Sequence, residues 1–495
     1  MTRRRYRQGS RGFFLLAAVL LWVPVRGQSP VGAIEAELAK ARSQKAAVGI
    51  KIVAAGSGRV IYESGAATPL APASNMKVIT TAAAMGVLGP DFQFTTPIGL
   101  RGQDLVVIGS GDPSTGDADL EGDLSLADEF DLLGRHLVKH GVGKIPGKLI
   151  VDASIFDDEL RHPHWPKDQY RKWYAAPVAG LNINDNCLDV RAGPGEGGRG
   201  WLEIVPENRF VAAKPAFVAK GQTNTIIDAY WPGQGWELMV KVTLGSRPGG
   251  PAYVPIEQPV RFVGELLRER LAANGVGIDG PIELTSVRQG SGDPPEGFSN
   301  LIEHRSRRLS ELVERTNKRS QNMFAECLFK RLGYEFSRKL APFPVGSWNT
   351  GRLAIEEFLR GQADTDISGI LLCDGSGLSK ENRVTANVLV DVLKYAADQP
   401  WSQKYIDSLP VAGKDGTLRR RMRGGSAAGR VVAKTGYISG VSGLSGYILD
   451  REGRPSIAFS MLFNDFPRSQ LWRIMQIQDT ICVELVKYSD RMDLQ

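Results

Sequence analysis

Three short stretches of this chain hold side chains able to carry out nucleophilic chemistry. In "PLAPASNMKVITTAAAMGVLG", Ser74 stands three residues before Lys77 at the mouth of an apolar, alanine-rich run. Positions i and i+3 share a helix face, so the amine would stand beside the hydroxyl. A serine hydroxyl is a poor nucleophile until a base takes its proton, and lysine is such a base only when burial or nearby cations lower its pKa. The structural alternative is a capping serine at a helix start. Two features favour chemistry. Ser74 is the only serine with lysine at i+3, and Lys77 is flanked by Met76, Val78 and Ile79, poor company for a solvated ammonium.

The second stretch is Ser320-Gln321-Asn322, which opens the helical "NMFAECLFKRLG". A hydroxyl and a carboxamide at this spacing can relay a proton and hold a peptide carbonyl, although the tripeptide alone reads more readily as an N-cap. A similar tripeptide, Ser347-Trp348-Asn349 in "PFPVGSWNTG", reads as loop. The third stretch, Lys434-Thr435-Gly436, ends the strand-like "RVVAKTG". On an edge strand, Lys434 and Thr435 would hold a substrate carboxylate and Gly436 would let backbone approach backbone. The N–H of the next residue, Tyr437, would then donate to a developing oxyanion.

Each signal is weak alone; their order SxxK, SxN, KTG is that of class A β-lactamases and penicillin-binding proteins. Over nearly all of its length beyond the first 27 residues, the chain resembles the D-alanyl-D-alanine carboxypeptidase/endopeptidase family of class C, low-molecular-mass penicillin-binding proteins. "TNKRSQNMFAE", "DGSGLSKENRVT", "LPVAGKDGTLRRRM" and "AKTGYISGVSGLSGY" are similar to family segments, and "GSGDPSTG" and "HWPKDQYRKWYAAPVAGLNIND" to parts of its insertion.

The resemblance implies an α/β (α+β) fold, a serine β-lactamase/transpeptidase-like domain with a large, mainly β insertion. It implies Ser74 as acylated nucleophile, Lys77 as base, Ser320 and Asn322 as relay and amide holder, and Lys434 with Thr435 on the terminal carboxylate. Asp168 and Tyr174 are the nearest matches to an insertion stretch that contacts the third residue of a stem peptide. Three positions depart from the family pattern. Gln321 replaces an aspartate, Tyr437 replaces a small hydroxyl residue, and Lys380 stands where relatives carry arginine. The implied partners are peptidoglycan stem peptides as substrates and β-lactams as covalent inhibitors, with no metal or cofactor. The competing readings are a β-lactamase or esterase with the same motifs, and a catalytically decayed wall-binding protein.

The elements that must position these residues are partly legible. "GAIEAELAKARSQ" reads as an amphipathic helix, "AAVGIKIVAAGSGRVIYESG" as two strands around a turn, and "QLWRIMQIQDTICVELVKYS" as a final helix. At 495 residues the chain exceeds one compact core. The expected partition is a leader over 1–27, a catalytic domain over 28–90 and 299–495, and an insertion over 91–183, 184–253 and 254–298. The 184–253 part is β-rich, and "RQGSGDPPEG" reads as a linker. Arginines 3, 4, 5, 7 and 11 precede the short apolar "FFLLAAVLLWVPV", the layout of a secretory signal. Export to the periplasm or cell envelope is expected, with membrane contact at most peripheral or through an uncleaved leader.

Much of the formal charge of +7 lies in that leader, which speaks against nucleic-acid binding. The run Arg419 to Arg421 with Arg423 reads as a solvated face, or less readily as a contact to the anionic wall. The four cysteines lack CxxC spacing, so buried thiols are as expected as disulfides.

Overall fold

The structure, a computed structural model, describes residues 29–120, 126–233, 235–288 and 294–492. The leader, residues 1–27, lies outside them, as do residues 289–293 of the stretch read as a linker.

Helix α1 (Val31–Ser43) and strands β1 (Ala47–Ala54) and β2 (Val60–Ser64) form where their hydrophobic periodicities change from helical to alternating. A 3-10 turn, Ala73–Asn75, runs directly into α2 (Met76–Val87). All residues from Met76 to Met85 are buried, Lys77 among them, so this helix crosses the core instead of lying on it.

The chain then leaves through β3 (Thr95–Arg101), β4 (Asp104–Ile108), α3 (Leu126–Lys139), β5 (Lys144–Ile145) and β6 (Leu149–Asp152). Six strands follow in the glycine-punctuated region: β7 (Cys187–Pro194), β8 (Gly200–Val205), β9 (Ala212–Asn224), β10 (Ile226–Tyr230), β11 (Glu237–Arg247) and β12 (Gly249–Pro255). Next come α4 (Pro259–Ala273), β13 (Gly277–Ile278), β14 (Ile282–Leu284) and β15 (Phe298–Arg305). A five-stranded sheet of order β14-β6-β4-β3-β15 and two three-stranded sheets share one apolar cluster, which includes Leu149, Leu188, Val240 and Phe262. Strand β15 carries that sheet past residue 299, its pairing with β3 running from Phe298 opposite Arg101 to Arg305 opposite Thr95.

The rest is α5 (Leu309–Lys318), α6 (Asn322–Arg338), α7 (Trp348–Gly361), α8 (Ala386–Ala397), α9 (Ser402–Ser408), β16 (Val431–Ile438), β17 (Val441–Leu449), β18 (Pro455–Asn464) and α10 (Leu471–Met492). The two ends of the chain meet in an antiparallel sheet of order β16-β17-β18-β1-β2. Strand β18 shows why it is central. Phe459, Met461 and Phe463 pack in one core with Ile34, Leu38 and Ile474, whereas Ala458 and Leu462 pack in the other with Val78 and Leu389. Side chains of alternate parity fill opposite faces, and both faces are covered.

Two expectations are corrected. Ser347-Trp348-Asn349 is not loop: Ser347 caps α7, its Oγ accepting from Thr350 N at 3.0 Å while Thr350 Oγ1 accepts from Ser347 N at 2.8 Å. The Ser-x-x-Thr reciprocity behind the Pro-Gly punctuation was the overlooked signal. Nor is the arginine run uniformly solvated. Arg421 is buried and pairs with Asp479 of α10 at 2.6 Å, while Arg419, Arg420 and Arg423 are exposed. All four cysteines are free and buried, and no helix among the described residues is long and apolar enough to cross a membrane.

Candidate active site

Ser74 lies in the 3-10 turn before α2, just after Ala73, whose φ of 46° is in the left-handed region. The turn is pressed between two glycine-bearing elements. A Cβ on Gly377 would collide with the Ala73 carbonyl, and one on Gly436 or Gly443 with the Asn75 side chain. Neither short helical segment receives a side-chain cap, so the capping explanation of Ser74 fails. Its hydroxyl lies instead 3.3 Å from Lys77 Nζ.

Lys77 is fully buried. Its Nζ donates to Asn322 Oδ1 at 2.6 Å and to the Ser376 carbonyl at 2.9 Å. A neutral amine has two N–H bonds and one lone pair. The two acceptors use both N–H bonds and leave the lone pair for the Ser74 hydroxyl. Burial pushes the Lys77 ammonium down to about 7, against the opposing pull of Glu326 and Asp374.

These two carboxylates were not singled out from sequence. Glu326 is completely buried; its oxygens accept from Trp348 Nε1 at 2.9 Å, Gly375 N at 2.9 Å and Ser376 N at 2.8 Å. Burial and Asp374 push Glu326 up to about 7. Asp374 accepts from Trp165 Nε1 at 2.8 Å, Gly377 N at 2.8 Å, Ser379 N at 2.7 Å and Asn382 Nδ2 at 2.8 Å. Together they fix the loop whose Ser376 carbonyl holds Lys77. The signal was available: Glu326 lies four residues after Asn322 on the same helix face, a carboxylate inside the apolar "FAECLF".

On the other wall, Ser320 occupies the break between α5 and α6 with φ of 57°. Gln321 supplies the cap of α6, its side chain accepting from Asn322 N, so Ser320 is not committed to capping either. Ser320 Oγ accepts instead from Lys434 Nζ at 2.9 Å. Lys434, also fully buried, donates to its neighbour's carbonyl, Thr435 O, at 2.8 Å. Burial and then the charge of Lys77 press Lys434 well below the ordinary lysine range. Thr435 Oγ1 donates to Thr417 Oγ1 at 2.7 Å. Beyond Lys434, β16 is the unpaired outer edge of the sheet, and Tyr437 is 45% exposed there.

Asn322 Nδ2 spends one N–H on the Tyr174 carbonyl at 2.8 Å, which leaves the second N–H for a ligand. Tyr174 thus reaches the site through its main chain. Gln321 Nε2 donates to Asp185 Oδ2 at 2.5 Å, and Asp185 faces Arg315, whose Nε holds Asp117 at 2.7 Å. Where the resembled family has aspartate, the longer glutamine amide finds a carboxylate of the insertion. Two expected residues are not drawn in. Asp168 and Lys380 are exposed, and neither side chain has a hydrogen bond or ion pair among the described residues.

A serine facing a buried amine, beneath the free edge of an antiparallel sheet and opposite a second serine–lysine pair, defines a serine hydrolase of the acyl-transfer class. Residues 31–481 match the D-Ala-D-Ala carboxypeptidase 3 (S13) family, and the chain belongs to it and is an enzyme, a serine peptidase. It is 33% identical to a D-alanyl-D-alanine carboxypeptidase of Actinomadura sp. (strain R39), over 98% of this chain and 93% of that protein. It is 27% identical to the D-alanyl-D-alanine carboxypeptidase DacB of Haemophilus influenzae, over 87% and 89% of the two chains. Its fold is that of the crystal structure of penicillin binding protein 4 from Haemophilus influenzae, with a TM-score of 0.72 at 24% identity over 92% of this chain and 98% of that one.

Proposed function

We propose that the protein hydrolyses D-Ala–D-Xaa peptide bonds of peptidoglycan stem peptides through an acyl-enzyme on Ser74. The observation that carries this reading is the fully buried Lys77 amine lying 3.3 Å from Ser74 Oγ, with Asn322 Oδ1 and the Ser376 carbonyl as its other partners. In the neutral amine those two take both N–H bonds and leave the lone pair for Ser74. Lys77 takes the hydroxyl proton as Ser74 Oγ attacks the penultimate D-Ala carbonyl. The carbonyl oxygen becomes an oxyanion facing the N–H groups of the Ser74 turn and of Tyr437. The tetrahedral intermediate then breaks its C–N bond. The leaving amine takes a proton through Lys77 and Ser320, and the acyl group remains as an ester on Ser74. Water then adds to the ester carbonyl, again losing a proton to Lys77, and Ser74 departs with its hydroxyl restored.

Asn322, with one amide N–H free, holds the substrate's peptide carbonyl. Lys434 and Thr435 take the terminal carboxylate. That anion would return to Lys434 the counter-charge its surroundings lack, and so restore its proton. A β-lactam acylates the same hydroxyl, its ring nitrogen receiving the proton. Lys380 and Asp168 would touch substrate only from the exposed rim. The exported enzyme would act in the periplasm or cell envelope, its catalytic domain built from both ends of the chain around the insertion of residues 91–298.

The test is D-alanine release from a stem pentapeptide by the purified protein. Wild type is expected to release it and Ser74→Ala to fall by roughly 10⁴-fold or more; equal rates would overturn the reading.

A further inference from the structure

Two struts from the region between α2 and α5 end on the turn that carries Ser320 and Asn322. One is the Tyr174 carbonyl, which accepts from Asn322 Nδ2 at 2.8 Å. The other is the Asp185 carboxylate, which accepts from Gln321 Nε2 at 2.5 Å. The chemistry proposed above uses neither Asp185 nor Gln321.

Asp185 stands at the centre of a turn in which three successive residues, Asn184, Asp185 and Asn186, have φ of 48°, 56° and 52°. Left-handed backbone is unfavourable for any residue with a Cβ, least so for Asn and Asp, and three in a row persist only where the surroundings impose them. Here neighbouring side chains do so. Asn186 Oδ1 accepts from Ile183 N at 3.0 Å, and its Nδ2 donates to Asn182 Oδ1 at 2.7 Å and to Pro177 O at 2.9 Å. Asn184 Nδ2 donates to Cys187 O at 2.8 Å, and its main-chain N–H donates to Thr115 O at 2.8 Å. The bond to Pro177 joins the turn to the segment that carries Tyr174, so the two struts form one piece.

On the receiving side, Gln321 is buried and uses both ends of its carboxamide. Its Oε1 accepts from Asn322 N at 3.1 Å at the start of α6, while Asp185 holds its Nε2. An amide held at one end can turn; held at both, it fixes the main chain on either side. Ser320 needs such support, because its own φ of 57° is left-handed. Arg315 supplies the counter-charge. Its Nη2 faces Asp185 at 3.7 Å, while Nε and Nη1 pair with Asp117 at 2.7 Å and Asp119 at 2.8 Å. Those two pairs remain when Asp185 is replaced, so the junction does not depend on it alone.

Resting on the function proposed above, we infer that Asp185 is a positioning residue for the reaction, which acts through Gln321 to hold Ser320 and Asn322 against Lys434 and Lys77. The region between α2 and α5 thus contributes to catalysis through a side chain that does not touch substrate. Breaking the link loosens the proton relay and the Asn322 contact to Lys77, while Lys434 and Thr435 still bind the carboxylate. The loss therefore falls on kcat.

The test is a double-mutant cycle on the full chain with Asp185→Ala, Gln321→Ala and the double variant, beside Asp185→Asn. Each alanine variant is expected to lose kcat for D-alanine release by roughly 10- to 100-fold, the scale of a small misplacement of catalytic groups. KM should change less than about twofold, and the rate of acylation by fluorescent penicillin should fall with kcat. The double variant should lose no more than the worse single variant, because both break one link. Asp185→Asn, whose carboxamide oxygen still accepts from Gln321, should stay within about fivefold of wild type. Losses that multiply in the double variant, a loss confined to KM, or an Asp185→Asn as slow as Asp185→Ala overturns the inference. If Asp185→Ala does not fold, Gln321→Ala breaks the same link while sparing the Arg315 pairs, and a wild-type rate there overturns it equally. A wild type that is labelled by penicillin but releases no D-alanine sinks the substrate reading alone, and the labelling rates then decide on Asp185.

Discussion

The two walls of the cleft each bury a lysine, and they treat the charge differently. On the α2 side, Lys77 has two buried carboxylates behind it, and its pKa settles at about 7. On the β16 side, Lys434 is equally buried but faces another cation instead of a carboxylate, and both burial and that cation press it well below the ordinary lysine range. The first arrangement suits a base that must take and return a proton near neutrality. The second suits a group that gains its charge when a carboxylate arrives. Burial is common to both; the presence or absence of Glu326 and Asp374 makes the difference.

That contrast can be broken most forcefully at Lys77. Lys77→Met should lower the rate of acylation by fluorescent penicillin roughly 10³-fold, the size of a lost general base. In wild type, kcat/KM should rise with pH through about 7, as the Lys77 ammonium gives up its proton. Lys434→Gln is expected to cost less, roughly 10–100-fold in kcat/KM, because it removes a charged hydrogen bond to the substrate and not the base. The loss should be concentrated on substrates that carry a terminal carboxylate; the same loss on an amidated substrate would erase the distinction between the walls.

Glu326→Gln sharpens the comparison. Glu326 raises Lys77, so its neutralisation should move the acid limb of kcat/KM to lower pH. Stability should fall by about 1–3 kcal/mol, since glutamine turns an N–H toward one of three donors. The pH dependence gives a second readout. Glu326 holds its proton more tightly in the native state, at about 7, than at its ordinary 4.5. The stability it contributes is therefore complete below 4.5 and lost as pH rises through about 7. Thermal melts of the variant should lack that decline. The smallest effect is expected from Trp348→Phe, which removes one donor to Glu326 for about 1 kcal/mol. Glu326 would then rise further, and the acid limb would move in the same direction as for Glu326→Gln, by less.

What the sequence disclosed and what it hid follow the same physical line. Ser74, Lys77, Ser320, Asn322 and Lys434 were legible because local spacing on a helix or strand carries the chemistry. The edge strand was legible from the strand-like run "RVVAKTG", and α2 from its apolar, alanine-rich run. Glu326 showed only as a carboxylate inside the apolar "FAECLF", and its role, like that of Asp374, was hidden because it depends on three segments distant in sequence folding over one lysine. Tyr174 was found for its side chain, whereas its contact to Asn322 is through a carbonyl that any residue possesses. Arg421 was read with its neighbours because a charge run gives no sign of which member has a buried partner, here Asp479. The strand β15 ran past an expected boundary because its pairing with β3 is a long-range fact.

The most direct test is intact-mass analysis of the purified protein after benzylpenicillin, followed by peptide mapping of the adduct, beside Ser74→Ala. One added penicilloyl group on the peptide containing Ser74, absent from the variant, is the predicted result. An adduct on any other residue, or an unmodified wild type, would contradict the assignment of Ser74 as the acylated nucleophile.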